Sequence, residues 1–188
     1  MRKFINKKEN LILTIEHDDD FDPRRDQDCI GKMICFHKRY KLGDKHNLNS
    51  SDFEDWNEVE EYIKTHFYAV VILPIYMIDH SGLSISTEKF SCPWDSGQIG
   101  FIYITETNLL KNFENDLNLA KNCLIAEIKE YDLYLRGEVF FYSIEDSENG
   151  NLIDSCSGFI GSDPKENGIF ASVCASDAIN DWEELELT

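Results

Sequence analysis

Apolar and polar residues alternate along this chain with two different periods, and the periods divide it into short strands and well-marked helices. Leu11 to Ile15 reads as a first strand and Ile30 to His37 as a second, joined by a polar loop, His17 to Asp28, in which six Asp meet only Arg24 and Arg25. Ser51 followed three residues later by Glu54 has the form of a capping box, and Phe53, Trp56, Val59 and Ile63 follow at helical spacing, which predicts a helix starting there. Tyr68 to Ile78 is branched, aromatic and apolar on both faces, as in a central strand covered on two sides. Leu83 to Ser86 and Ile99 to Ile104 read as two further strands around an irregular segment, Ser91 to Gly97.

Leu117, Ala120, Leu124, Ile128, Tyr131 and Leu135 recur every three or four residues, and Gly137 stands where such a helix would end. Glu138 to Ile144 then reads as a strand, Glu148 to Asn151 as a turn, and Leu152 to Ile160 as the hairpin partner. From Pro164 to Leu187, the positions of Ile169, Val173, Ala178 and Trp182 predict a third helix. Strands interleaved irregularly with about three helices give an α+β fold with a mostly antiparallel or mixed sheet. With 188 residues, 42% of them hydrophobic and 12% aromatic, the chain is long enough for one substantial core and is expected to form a single domain, residues 1–188.

The longest apolar run, Tyr68 to Ile78, is far short of the roughly 20 residues that span a bilayer, so no transmembrane helix is expected, and the strong acidity disfavours an anionic membrane surface, so no membrane partner is expected. The basic start, Met1 to Asn10, leads into too short an apolar stretch for a secretory signal, which predicts a cytoplasmic protein. Most of the six scattered cysteines are then expected to be reduced and buried. Charge changes the picture further. Of a net −18, residues 127–188 carry −12, with 15 Asp and Glu against Lys129, Arg136 and Lys165. Glu127, Glu130 and Asp132 lie on the second helix, Glu145, Asp146 and Glu148 near the hairpin turn, and Asp177, Asp181, Glu183, Glu184 and Glu186 at the end. Such acidity repels nucleic acid and favours a basic partner, such as a surface that normally receives DNA or RNA.

The densest local pattern joins His80-Ser81-Gly82-Leu83 to Phe90-Ser91-Cys92-Pro93-Trp94-Asp95-Ser96-Gly97-Gln98. Together with Tyr40-Lys41-Leu42-Gly43-Asp44 and Leu73-Pro74-Ile75-Tyr76, it resembles a set of uncharacterised bacteriophage and mobile-element proteins over about a third of the chain. The resemblance implies no established activity and no functional residues. It does imply a phage-type role, such as countering host defence in the manner of an anti-CRISPR or antirestriction protein acting in the host cell.

Cys92, His80 and Asp95 offer a thiol, an imidazole and a carboxylate within sixteen residues, the parts of a small cysteine hydrolase or transferase. Pro93 holds Cys92 extended, however, and neither an elbow nor a helix start follows to activate the thiol. The preferred reading makes Cys92 buried, packs Trp94 in the core, and lets Asp95 with Ser96 and Gly97 form a turn into the next strand. Cys29, Cys35, His37 and His46 do not match a short zinc-knuckle spacing, and Asp18, Asp20 and Asp22 fail as an EF-hand because Pro23 and Cys29 occupy its Gly and Glu positions. No metal and no cofactor are expected. The sequence therefore points to a non-enzymatic acidic inhibitor, a nucleic-acid mimic that blocks the basic surface of a host nucleic-acid-binding defence protein. A homodimer stays open, and the Cys92 enzyme is the alternative.

Overall fold

In the computed structural model, which describes residues 1–80, 82–173 and 181–185, the strands form two antiparallel sheets. The class is α+β, with three helices of eight or more residues among the described residues. The chain gathers into two compact units, one of residues 1–22 with 137–188 and one of residues 23–136.

The unit made from the two chain ends holds β1 (Arg2–Asn6), β2 (Leu11–His17), β7 (Val139–Asp146), β8 (Leu152–Ile160) and β9 (Trp182–Glu184), in the order β8-β7-β2-β1-β9. Phe4, Leu13, Ile15, Tyr142 and Ile144 pack with Trp182 and with Ile169 and Phe170 of a short helix, α5 (Ile169–Val173). Phe4 and Phe170 meet edge to face at 5.2 Å. The helix predicted from Pro164 to Leu187 is thus corrected: its start is five residues long, and Trp182 lies on a strand paired with Asn6. Ala178 lies outside the described residues.

Residues 23–136 hold α1 (Pro23–Asp26), β3 (Lys32–Cys35), α2 (Trp56–His66), β4 (Ala69–Asp79), β5 (Leu83–Ser86), β6 (Ser96–Thr105), α3 (Glu106–Phe113) and α4 (Leu117–Leu135). The strand order is β3-β6-β4-β5. One face of the sheet, with Val71, Ile75, Ile102 and Ile104, packs on Leu109 and Phe113 of α3 and on Ala120, Leu124 and Ile128 of α4. The other, with Ile34, Ala69, Phe101 and Tyr103, packs on Val59 and Ile63 of α2. β4 is accordingly apolar on both sides, as its composition predicts. β3 and β6 approach so closely that a Cβ on Gly100 would collide with the Ile34 carbonyl.

The start of α2 is also corrected. Its N-cap is Asp55, whose carboxylate accepts from the amides of Asn57 and Glu58 at 2.8 and 3.0 Å. The Ser51 to Glu54 segment is instead overlapped by a single 3₁₀ turn, Ser50–Asp52, closed by Asn49 and Asp52. α4 starts at its own cap, Asp116, and Gly137 follows it with φ of 76°. No helix among the described residues is long and apolar enough to cross a membrane.

Candidate functional site

Divided by unit, the charge is more uneven than along the sequence. The unit of residues 1–22 and 137–188 has 18 Asp and Glu against 5 Lys and Arg, net −13, and residues 23–136 have 18 against 13, net −5. Within the acidic unit, three of the candidate carboxylates on and beside β9 are matched by cations from the first eight residues. Glu184 accepts two bonds from Arg2 at 2.8 and 3.0 Å, Glu183 one from Lys7 at 2.5 Å, and Asp181 one from Lys8 at 2.6 Å. The bond from Arg2 holds the Glu184 carboxyl below the usual range. Asp177 and Glu186 lie outside the described residues.

Glu145, Asp146 and Glu148 lie at the β7–β8 turn. Asp146 orders that turn by accepting from the Glu148 amide at 2.8 Å and from Asn149 at 3.0 Å. Glu148 accepts from Asn10 at 3.2 Å, and the Ser147 amide donates to the Asn10 carbonyl, so two hairpin turns are tied together at this end of the sheet. Its carboxylate remains exposed to solvent.

The three candidates on α4 have different surroundings. Glu127 faces inward: it accepts from Arg24 at 2.8 Å and from the amides of Ile30 and Gly31, both at 2.9 Å. Asp132 takes the Ser84 hydroxyl at 2.6 Å and the Ile85 amide at 2.8 Å, closing the outer edge of β5. Glu130 is exposed, and desolvation followed by the charge of Glu127 holds its carboxyl above the ordinary range. A sign of the inward turn of Glu127 is present in the sequence, because it falls three residues after Leu124 and four before Tyr131, on the apolar stripe.

Cys92, His80 and Asp95 do come together, but around the carboxylate. Asp95 Oδ2 lies 3.1 Å from His80 Nδ1 and accepts from Cys92 Sγ at 3.6 Å. A nucleophile–base pair needs the imidazole at the thiol; here the carboxylate holds that place. The same loop is braced elsewhere: the Ser96 hydroxyl donates to the Cys92 carbonyl, and the Asp79 amide donates to the Asp95 carbonyl at 3.0 Å. Asp79 in turn accepts from Tyr40 at 2.9 Å and Arg39 at 3.3 Å. The expected burial is overturned, since Cys92 is half-buried and Trp94, 92% exposed, projects into solvent. Short bonds among polar loop atoms, and not indole packing, fix the segment.

The zinc-type residues have other partners. Cys29 donates to the Pro23 carbonyl, His37 Nδ1 accepts from the amides of Arg39 and Tyr40, and His46 Nε2 lies 3.0 Å from the Cys35 carbonyl. Burial pushes the Cys35 thiol up to about 12. A groove of about 730 Å³ runs between β5 and α4 past Ser84, Phe90, Lys129 and Asp132. A smaller cavity of about 350 Å³ lies along β3. No family model, no curated protein and no solved structure matches the chain, so the geometry of its own residues is what bears on function.

Proposed function

We propose that the protein is a non-enzymatic acidic inhibitor that occupies the nucleic-acid-binding surface of a host defence protein. The observation that carries this reading is the net −13 on a unit assembled from the two chain ends. A charge of that size in one small unit creates a field that attracts a Lys- and Arg-lined groove and repels nucleic acid. The β7–β8 turn, with Glu145 and Glu148, supplies acids that are not matched to the Arg2, Lys7 and Lys8 cations, and it is the contact point in this proposal. The host cytoplasm, where the chain would meet such a target, is part of the same reading.

The test is competition. A host protein captured on the immobilised chain is released by added DNA or RNA, its affinity falls steeply between low and physiological salt, and a Glu145→Lys, Glu148→Lys double variant captures less of it. Capture that nucleic acid does not compete with, and that salt leaves unchanged, would sink the proposal.

The convergence of Cys92 and His80 on Asp95 supports a second reading, a cysteine hydrolase or transferase. It requires His80 to leave Asp95 and reach the thiol. Selective alkylation of Cys92 ahead of the exposed Cys156 would favour it.

A further inference from the structure

We propose that the cavity between Phe36 and the start of α2 binds a trimethylammonium group, with the rings of Phe36, Phe53 and Trp56 as its walls and Glu54 as its counter-charge. The cavity holds about 360 Å³, at the low end of the ~300–1,000 Å³ of ligand pockets, which suits one compact head group. Phe36, Phe53, Trp56 and Val59 supply the apolar part of its lining, and Ser50, Glu54 and Asp55 the polar part. Each of the three rings is only half-buried, so each keeps accessible surface. Phe36 is their shared neighbour: the Phe53 ring lies 6.1 Å from it with planes 55° apart, and the Trp56 ring 6.2 Å from it with planes 44° apart. The rings are tilted and not stacked shut, and a cation within about 6 Å of such faces is attracted by their quadrupoles.

The fold sets the three rings in place before any ligand arrives. The Phe36 amide donates to the Ile99 carbonyl at 2.7 Å, which carries the line of β3 one residue further along β6. Phe53 ends the 3₁₀ turn in extended conformation, and its ring meets Tyr62 edge to face at 5.4 Å. Trp56 is the first residue of α2, directly after the Asp55 cap, and meets Phe101 edge to face at 6.0 Å. Walls braced from behind in this way lose little freedom when a ligand enters.

Charge selects a cation, and hydrogen-bonding capacity selects its kind. Among the described residues no Lys or Arg lines the cavity. Bonds from the Glu58 amide and the Asn57 side chain hold the Asp55 carboxyl below the usual range, so it stays ionised. Both Asp55 oxygens already accept, Oδ1 from the Asn57 and Glu58 amides and Oδ2 from Asn57 Nδ2. The Glu54 side chain is exposed and enters no ion pair among the described residues. A bare ammonium carries three N–H donors and a tight hydration shell, for which one carboxylate and the Ser50 hydroxyl are a poor exchange. A quaternary nitrogen has no N–H to satisfy, and its methyl groups can rest directly on the rings. The site is independent of the acidic-inhibitor reading, because its residues all belong to the 23–136 unit.

The experiment titrates the whole protein, by ¹H NMR, with choline and with N-acetyl-trimethyllysine amide. Their controls are 3,3-dimethylbutanol, the uncharged carbon isostere of choline, and N-acetyl-lysine amide. At least one trimethylammonium probe binds, its methyl protons show Overhauser contacts to the Trp56 ring, and it binds about tenfold more tightly than its control. Tighter binding of choline assigns the site to a free amine, and tighter binding of the trimethyllysine probe to a methylated protein segment. Glu54→Gln, with unchanged circular dichroism, costs about threefold in affinity. A control that binds as well as its probe, contacts that miss Trp56, or unchanged affinity in Glu54→Gln would each overturn the proposal, as would binding of neither trimethylammonium probe.

Discussion

Arg24 donates from Nη1 to Glu127 Oε2 at 2.8 Å, joining residues 103 apart in the chain, with only 4% of the arginine side chain and 10% of the glutamate exposed. The same guanidinium binds Asp44 through two nitrogens and the Gly31 carbonyl through a third bond, at 2.7 Å. Gly31 is part of the arrangement, since a Cβ there would press on Leu124 and Glu127. One buried cation thus locks the start of α1, the loop after β3 and α4 to one another.

Removing that cation leaves two carboxylates buried without their partner, which costs more than the ion pair itself contributes. Arg24→Ala is therefore expected to lower stability by about 3–5 kcal/mol, the usual result of breaking a buried pair from one side. Urea unfolding measures it; a loss under about 1 kcal/mol would mean that the pair is hydrated in solution.

Glu130 gives a pH signature of opposite sign to a salt-bridged carboxylate. Its folded-state value is raised, mainly by desolvation, so the folded protein holds this proton more tightly than the unfolded chain does. Its unfavourable contribution is full above the folded value and fades as pH falls towards the ordinary glutamate range. Glu130→Gln should be slightly more stable than the wild type at pH 7, a small gain because the exposed side chain is screened by solvent, and should lose that advantage as pH falls through the ordinary glutamate range. A gain that persists unchanged at pH 4 would assign the effect to something other than titration.

Thiol chemistry separates the two functional readings. Cys156 is exposed, Cys92 is half-buried beside a carboxylate, and burial raises Cys29, Cys123 and, up to about 12, Cys35. Among the described cysteines, a maleimide or iodoacetamide reagent under native conditions should take Cys156 first and Cys92 more slowly, with Cys35 protected until unfolding. Peptide mapping of partly labelled protein reads the order directly.

Trp94 should behave as a surface residue. Trp94→Ala is expected to change stability by less than about 0.5 kcal/mol, against the ~3–5 kcal/mol of a tryptophan removed from a core. The wild-type emission should contain a red-shifted component quenched by iodide that the variant lacks, since Trp56 is half-buried and Trp182 is 9% exposed.

Those corrections also show what could be read from sequence. α4 and β4 were legible because each repeats its pattern over many residues, six apolar positions at helical spacing in one and an unbroken apolar run in the other. β1, α3 and β9 were not, because their buried hydrophobic residues are few: Phe4 in β1, Leu109 and Phe113 in α3, Trp182 in β9. β1 and β9 gain their definition by pairing with each other across the whole chain length. The Cys92 loop misled for another reason. Composition assigns a tryptophan to the core, whereas its direction is fixed by hydrogen bonds among Asp95, Ser96, Cys92 and Asp79 that no periodicity encodes. In the acidic surface the carboxylates were visible, but their cations, Arg2, Lys7 and Lys8, stand more than 170 residues away in sequence.

That pairing divides the acidic residues into two experimentally distinct groups. Glu183 and Glu184 face Lys7 and Arg2 across the β1–β9 edge, so reversing both to Lys replaces two attractions by two repulsions on the strand that carries Trp182. Exposed pairs contribute about 0–1 kcal/mol each, so the double reversal should lower stability by about 1–2 kcal/mol, less at high salt. Glu145→Lys with Glu148→Lys meets no such cations and should leave the melting temperature nearly unchanged while weakening capture of a basic target. Were the Glu183, Glu184 reversal to weaken capture at full stability while the turn reversal did nothing, the contact surface would have to be moved from the β7–β8 turn to the β9 edge.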